Sequence, residues 1–129
     1  MFKKISICLA SILILDGLWL GLIAGQFYQS HLKSFLTVTE QGMRFNIASA
    51  TLVYVFLTIG ILCFPVSRAN GVTISAILWG AVFGLCTYGT YGFTNHAIIE
   101  SWPLNVSAID TLWGAFLCAT TSFLVTKFS

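Results

Sequence analysis

The chain has 129 residues, of which 57% are hydrophobic and only 8% are charged. Soluble globular domains carry about 25% charged residues, so this composition excludes a soluble domain and indicates an integral membrane protein. Four spans of about 20 residues would occupy nearly the whole length, which leaves no room among them for a separate catalytic domain. The net charge of +2 comes without a basic cluster, so we expect no nucleic-acid partner.

The cysteines are spread one to each apolar segment, with no Cys-x-x-Cys pair and no neighbouring histidine. Free cysteine behaves as a small hydrophobic residue. We therefore predict neither a disulfide framework nor a metal site from these four residues: Cys8, Cys63, Cys86 and Cys118.

The first predicted span covers residues 5–26, about 33 Å of helix at 1.5 Å per residue. Lys3 and Lys4 precede it as in a secretory signal, but the apolar stretch is long and is interrupted by Asp16, so we expect a retained helix. In residues 28–44, apolar side chains recur at helical spacing. This pattern predicts a short amphipathic helix in the membrane interface, or a lid over the bundle.

The second predicted span covers residues 45–66 and ends near Pro65, because proline is unfavourable inside a helix. The connector SRANG, residues 67–71, has the composition of a tight turn, so the second and third spans should be antiparallel neighbours. The third span covers residues 72–93 and the fourth residues 104–126. Together they predict an all-α fold: one domain over residues 1–129, with four transmembrane helices in a compact bundle.

The basic residues predict the orientation of the chain, because short cytoplasmic connections are enriched in Lys and Arg. A cytoplasmic amino terminus places Lys33 and Arg44 outside and four basic residues inside: Lys3, Lys4, Arg68 and Lys127. We therefore expect an integral protein of a bacterial inner membrane with both termini in the cytoplasm. The aromatic rings expected near the outer interface are Tyr28, His31 and Trp102.

Two acidic residues interrupt apolar spans: Asp16 in ILILDGLWLG and Asp110 in VSAIDTLWGA. An acid in the hydrocarbon costs about 2.5–3.5 kcal/mol on insertion scales, so it marks a functional site by default. Helix rise places Asp16 about 16 Å from the cytoplasmic edge and Asp110 about 9 Å below the outer surface. The spans contain no Lys or Arg, so each acid must be protonated, hydrogen-bonded by neutral donors, hydrated, or bound to a ligand cation.

Aromatic and amide side chains are the predicted surroundings of these acids. Trp19 and Trp113 each follow an acid by three residues and share its helix face. In the third span, Tyr88, Tyr91 and Asn95 form one stripe at helical spacing, and they serve either packing and satisfaction of a carboxyl or ligand contact. Small residues allow close helix approach, so we interpret the GxxxG pair of Gly80 and Gly84 as helix packing.

His96 and Glu100 are further candidates on the outer face. They lie four residues apart and would share a helix face if the third span continued beyond residue 93. This pairing alone is weak evidence for metal binding, and solvated interface residues have the same pattern.

Two stretches, LDGLWLGLIAGQFY and YGTYGFTNHAIIESWPLNVSAIDTLWGAF, resemble bacterial membrane proteins grouped as domain of unknown function 2177. The resemblance runs from end to end and implies the four-span fold without an established activity. Where the family has an acid in a Tyr-Asp-Leu-Thr-Asn run, this chain has Gly92 and Phe93, which argues against a multi-acid metal site. The matching residues are Asp16, Trp19, Gly21, Tyr28, Tyr88, Tyr91, Thr94, Asn95, Trp102, Pro103, Asp110, Trp113 and Gly114.

Three functions are compatible with these residues. The first is an outward-opening polar pocket that binds a small molecule or lipid headgroup, with a lipid-modifying enzyme using Asp, Tyr or His acid–base chemistry as a variant. No Ser-His-Asp set, His-rich box or phosphate loop is visible in the sequence. The second is a proton-coupled transporter acting as a homo-oligomer. The third is an assembly subunit whose acids are satisfied by a membrane-protein partner within the lipid bilayer.

Overall fold

Four long apolar helices dominate the computed structural model, which describes residues 1–32, 37–39, 42–44 and 46–129. Helix α1 covers Phe2–Leu18 and continues through a π-helical turn, Trp19–Ile23, before the short helix α2, Gly25–His31. Helix α3, Ile47–Ile61, continues through a π-helical turn, Leu62–Val66, into the single turn α4, Ser67–Ala69. Helices α5, Thr73–Ile98, and α6, Leu104–Phe128, complete the chain.

All four helical stretches are long and apolar enough to cross a membrane, with mean hydropathies between 1.3 and 2.3. Large apolar side chains also point away from the bundle: Leu22 is 80% exposed and Phe56 is 66% exposed. A helix that is apolar all round must be surrounded by protein or lipid. The predicted four-helix membrane fold is therefore confirmed.

The predicted short helix between the first two spans is present as α2, but it ends at His31. Its predicted extension to Arg44 is wrong, because strand β1, Thr37–Thr39, pairs antiparallel with strand β2, Gly42–Arg44, and Val38 lies opposite Met43. Three consecutive β-branched residues, TVT, favour extended backbone over helix. Phe35 and Leu36, which contributed to the helical pattern, lie outside the described residues.

Pro65 lies inside a helix and does not end one, so the predicted end of the second span there is wrong. It belongs to the π-helical turn, and the helix continues to Ala69. A π-helical turn changes the local hydrogen-bond register, which accommodates a residue that lacks an N–H donor. The tight turn predicted in SRANG follows this helix, with positive φ angles of 51° at Asn70 and 81° at Gly71.

Helices α5 and α6 approach each other closely along a series of glycines. A Cβ atom on Gly80 would lie 2.6 Å from the carbonyl oxygen of Cys118, and one on Gly84 would collide with the backbone of Gly114. Only the absence of a side chain permits this approach. The packing interpretation of Gly80 and Gly84 is confirmed.

Helix α1 packs against α6 and α3, and their shared core is apolar. Cys8 and Ile12 of α1, Ile61 of α3 and Leu117 of α6 are all 0% exposed. This apolar core holds together the half of the bundle that contains the start of α1 and the end of α3. The polar side chains meet in the other half, where α1 ends and α6 begins.

Candidate functional site

A cavity of about 420 Å³ lies where the end of α1, the middle of α3, the second half of α5 and the first half of α6 converge. Tyr28 of α2 also reaches it. Both intramembrane acids line this one cavity, although they are 94 residues apart in the chain. The full lining is Asp16, Trp19, Leu20, Tyr28, Val53, Leu57, Thr87, Tyr88, Tyr91, Asp110 and Trp113.

Asp16 is half-buried, and each of its carboxyl oxygens accepts a hydrogen bond from a different helix. The Tyr54 hydroxyl of α3 donates to Oδ2 at 2.8 Å, and the Trp113 indole N–H of α6 donates to Oδ1 at 3.0 Å. Hydrogen bonds from neutral donors replace the water that a carboxyl loses on burial. Asp16 thereby joins three spans at one point.

Asp110 is also half-buried, but only one of its oxygens is bonded to protein. The Tyr28 hydroxyl donates to Oδ1 at 2.9 Å, and the Trp19 indole N–H donates to the Tyr28 oxygen at 3.2 Å. Among the described residues, no donor reaches the second oxygen, Oδ2. Asp110 therefore keeps one hydrogen-bond acceptor available at the cavity wall.

The two tryptophans connect the acids across the bundle. Their rings stack with centroids 4.4 Å apart and an angle of 5° between planes. Each indole was expected beside the acid three residues before it, yet Trp113 donates to Asp16 of the other helix and Trp19 donates to Tyr28. The bonding is thus between helices, so it holds α1, α2 and α6 together as well as satisfying the carboxyls.

The predicted stripe on α5, Tyr88, Tyr91 and Asn95, supplies part of the cavity wall. Within the described chain it makes no hydrogen bond to either acid. Tyr88 and Tyr91 line the cavity, and Tyr88 packs against Gly114. Asn95 does not line it; its backbone carbonyl accepts the Ile99 N–H at 2.8 Å near the end of α5. The stripe therefore divides: Tyr88 and Tyr91 lie at the cavity, and Asn95 lies beyond it.

His96 and Glu100 lie away from the cavity, near the end of α5. His96 is exposed, with Nδ1 3.1 Å from the carbonyl oxygen of Trp102, and Glu100 is exposed in the turn before α6. Within the described ranges, no three residues of the metal-ligating types His, Cys, Asp and Glu lie close enough together to hold a metal ion.

Two tyrosines that bond the acids were not assigned to the site from the sequence. Tyr54 is the one tyrosine in the apolar second span, and this isolated hydroxyl in a span is the signal that would have found it. Tyr28 was expected at the outer interface, yet it is only 7% exposed and is bonded to Asp110. Thr87 of α5 also lines the cavity.

A second, smaller cavity of about 210 Å³ adjoins the first on the side of α2 and the α5–α6 turn. Leu20, Tyr28, Tyr91 and Asp110 line both cavities. The hydrogen-bonded pair of Tyr28 and Asp110 therefore lies at the boundary between them.

Replacing Tyr28 with phenylalanine should destabilise the fold by about 1 kcal/mol, because the variant loses the bond to Asp110 and leaves the Trp19 N–H without its acceptor. Burial, and next the neighbouring carboxyl of Asp110, raise the pKa of Tyr28 above its ordinary value of 10. The stabilising contribution of the neutral phenol is therefore complete below pH 10 and is lost as the pH rises above it.

Thermal unfolding of the wild type and Tyr28→Phe in mild detergent, from pH 7 to pH 11, checks both effects. The stability difference between the two proteins should be largest below pH 10 and should shrink above it. A difference that is constant over the whole range, or that grows with pH, would contradict the buried neutral phenol.

A family model described as "Predicted membrane protein (DUF2177)" matches residues 1–126 of the chain. No curated protein and no solved structure matches the chain. The match covers all four spans and both acids of the cavity.

Proposed function

Since the chain belongs to this family of predicted membrane proteins, whose description assigns no activity, we propose from the cavity itself that the protein binds a small molecule or a lipid headgroup. The cavity volume of about 420 Å³ falls within the range of about 300–1,000 Å³ that ligand sites occupy. Its walls are mainly apolar and aromatic, with few polar groups, as in most such sites.

One observation carries the proposal: Oδ2 of Asp110 has no donor among the described residues, although it lines the cavity. An acid within the membrane is costly, and Asp110 has one hydrogen bond from the described residues to offset that cost. A bound ligand that donates a hydrogen bond would recover this energy. The two oxygens of Asp16 already have donors, and through them Asp16 would hold Tyr54 and Trp113 in place beside the cavity.

The cavity belongs to the half of the bundle that contains α2 and the α5–α6 turn. The distribution of Lys and Arg favours a cytoplasmic amino terminus, and in this orientation that half faces outward. We therefore propose a ligand that arrives from the outer leaflet or the outer solution.

Native mass spectrometry of protein isolated in mild detergent tests the proposal. We expect a non-covalent adduct on the wild type that is lost or strongly reduced in Asp110→Asn, since the amide places N–H groups where the acceptor was. Glu100→Gln is the matched control, because Glu100 is exposed and lines neither of the two cavities. Equal adducts on all three proteins, or none on the wild type, would contradict binding at this cavity.

A proton-coupled transporter is the alternative that the buried acids favour. The two acids lie in one cavity, but the protein groups that link them include the stacked indoles of Trp19 and Trp113, whose N–H groups donate hydrogen bonds and do not accept them. A liposome proton-flux signal that disappears in Asp16→Asn would favour transport over binding. An assembly subunit is the less favoured alternative, because both acids find donors within this one chain.

A further inference from the structure

The charge of the cavity limits the ligands that it can bind. Its lining contains two carboxyl groups, Asp16 and Asp110, and no Lys, Arg or His. In a low-dielectric site, the interaction between like charges is poorly screened. When these carboxyls are ionised, a phosphate or carboxylate group in the cavity is repelled, whereas a cation is attracted.

The aromatic walls have the same preference. Five aromatic residues line the cavity, Trp19, Tyr28, Tyr88, Tyr91 and Trp113, and Tyr91 is 59% exposed. The faces of Trp and Tyr rings attract cations within about 6 Å of the ring centroid. Carboxyl and aromatic groups thus select for positive charge through two independent interactions.

We propose that the ligand presents a primary ammonium group to Asp110, an inference that rests on the proposed function of the cavity. An ammonium group has three N–H donors: one reaches Oδ2 of Asp110, and the Tyr88 hydroxyl offers a second acceptor at the wall. Leu20, Val53 and Leu57 form the apolar part of the lining and contact the carbon chain. A free alkylamine and the ethanolamine headgroup of a phospholipid both supply this chemistry.

Isothermal titration of the full chain in phosphatidylglycerol nanodiscs tests whether the cavity prefers an ammonium group. The heat measured with empty nanodiscs is subtracted. The probes have the same chain length: hexylamine, hexanol and hexanoate. We expect hexylamine to bind the wild type about 10- to 100-fold more tightly than hexanol, as a hydrogen bond to a charged group contributes. We expect no binding of hexanoate.

Two variants and one control variant assign the preference for the ammonium group to residues. Asp110→Asn should reduce the ratio of hexylamine to hexanol affinity to about 2–5, the part that the aromatic rings contribute, whereas Glu100→Gln should preserve it. Tyr91→Leu should weaken the binding of hexylamine about two- to fivefold and leave the binding of hexanol unchanged. Tyr91 makes no hydrogen bond within the described chain, so we expect this variant to fold. It therefore keeps the test valid even if Asp110→Asn does not fold.

The outcomes separate the two proposals. Binding of hexanol or hexanoate as tightly as hexylamine would overturn the ammonium ligand and leave the binding function standing. Binding of no probe, together with no adduct in mass spectrometry, would overturn both. Repeating the titration in phosphatidylethanolamine nanodiscs identifies the source: at least tenfold weaker hexylamine binding indicates that the headgroup occupies the cavity, and unchanged binding indicates a free amine.

Discussion

Replacing Gly84 with alanine is expected to lower the free energy of unfolding by about 1–3 kcal/mol, the usual cost of overpacking a close contact. The added Cβ would collide with the Gly114 carbonyl and lie 2.7 Å from Cα of Ala115. Because these are backbone atoms, α5 and α6 must separate. The separation would also move Tyr88, which packs on Gly114, and so would alter the cavity wall.

Gly89→Ala is the matched control on the same helix, since its Cβ would meet Thr111 at 3.5 Å, an ordinary contact. We expect this variant to be as stable as the wild type or slightly more stable, because alanine favours helix over glycine. Unfolding in mild detergent measures both. Equal stability of Gly84→Ala and Gly89→Ala would contradict the close packing of α5 against α6.

Trp113→Ala should destabilise the protein by about 3–5 kcal/mol, the range for truncating a buried tryptophan. The side chain is 9% exposed, stacks on Trp19 and donates to Asp16. Its removal leaves a void beside the cavity and takes one donor from Asp16. We expect the variant to lose ligand binding as well as stability, because two walls of the site depend on this ring.

Trp79→Ala is the control for the loss of an indole. Trp79 lies under Arg68, with the guanidinium carbon 4.1 Å from the ring centroid, and is 38% exposed. Lipid can replace much of its contact, so we expect a clearly smaller loss of stability than for Trp113→Ala. Losses of the same size in the two variants would show that Trp113 has no special place in the bundle.

The fold could be predicted from hydropathy and from small residues. Length and apolar composition give four spans, and the glycines of α5 give the face that meets α6. Two local predictions were wrong: that a helix ends at Pro65, and that the TVT run is helical. A π-helical turn absorbs the proline, whereas the β-branched run prefers extended backbone to the helix that its apolar spacing suggested.

The acids of the site could be predicted individually, but their partners could not. Carboxyls in apolar spans are visible in the sequence, and the Trp three residues later shares the helix face. The bond between Asp16 and Trp113 spans 97 residues, and it depends on how α1 packs against α6. Neither helix order nor rotation follows from spacing within one helix.

Gly92 shows how a local departure from the family resemblance fits the packing. The resemblance places an acid at this position, whereas here the Ser107 hydroxyl donates to the Gly92 carbonyl at 2.6 Å. A Cβ on Gly92 would lie 3.3 Å from Ser107, so a larger side chain would press on α6. In this chain the position serves contact between α5 and α6.

The central claim is that carboxyls from the first and fourth spans belong to one polar site held together by bonds between helices. A double-mutant cycle with Asp16→Asn and Trp113→Phe tests it most directly, because Asn replaces the carboxylate with an amide of the same shape and Phe removes the indole N–H donor while keeping an aromatic ring. We expect a coupling energy of about 1 kcal/mol or more in unfolding free energy. Additive effects, with a coupling energy near zero, would contradict the claim.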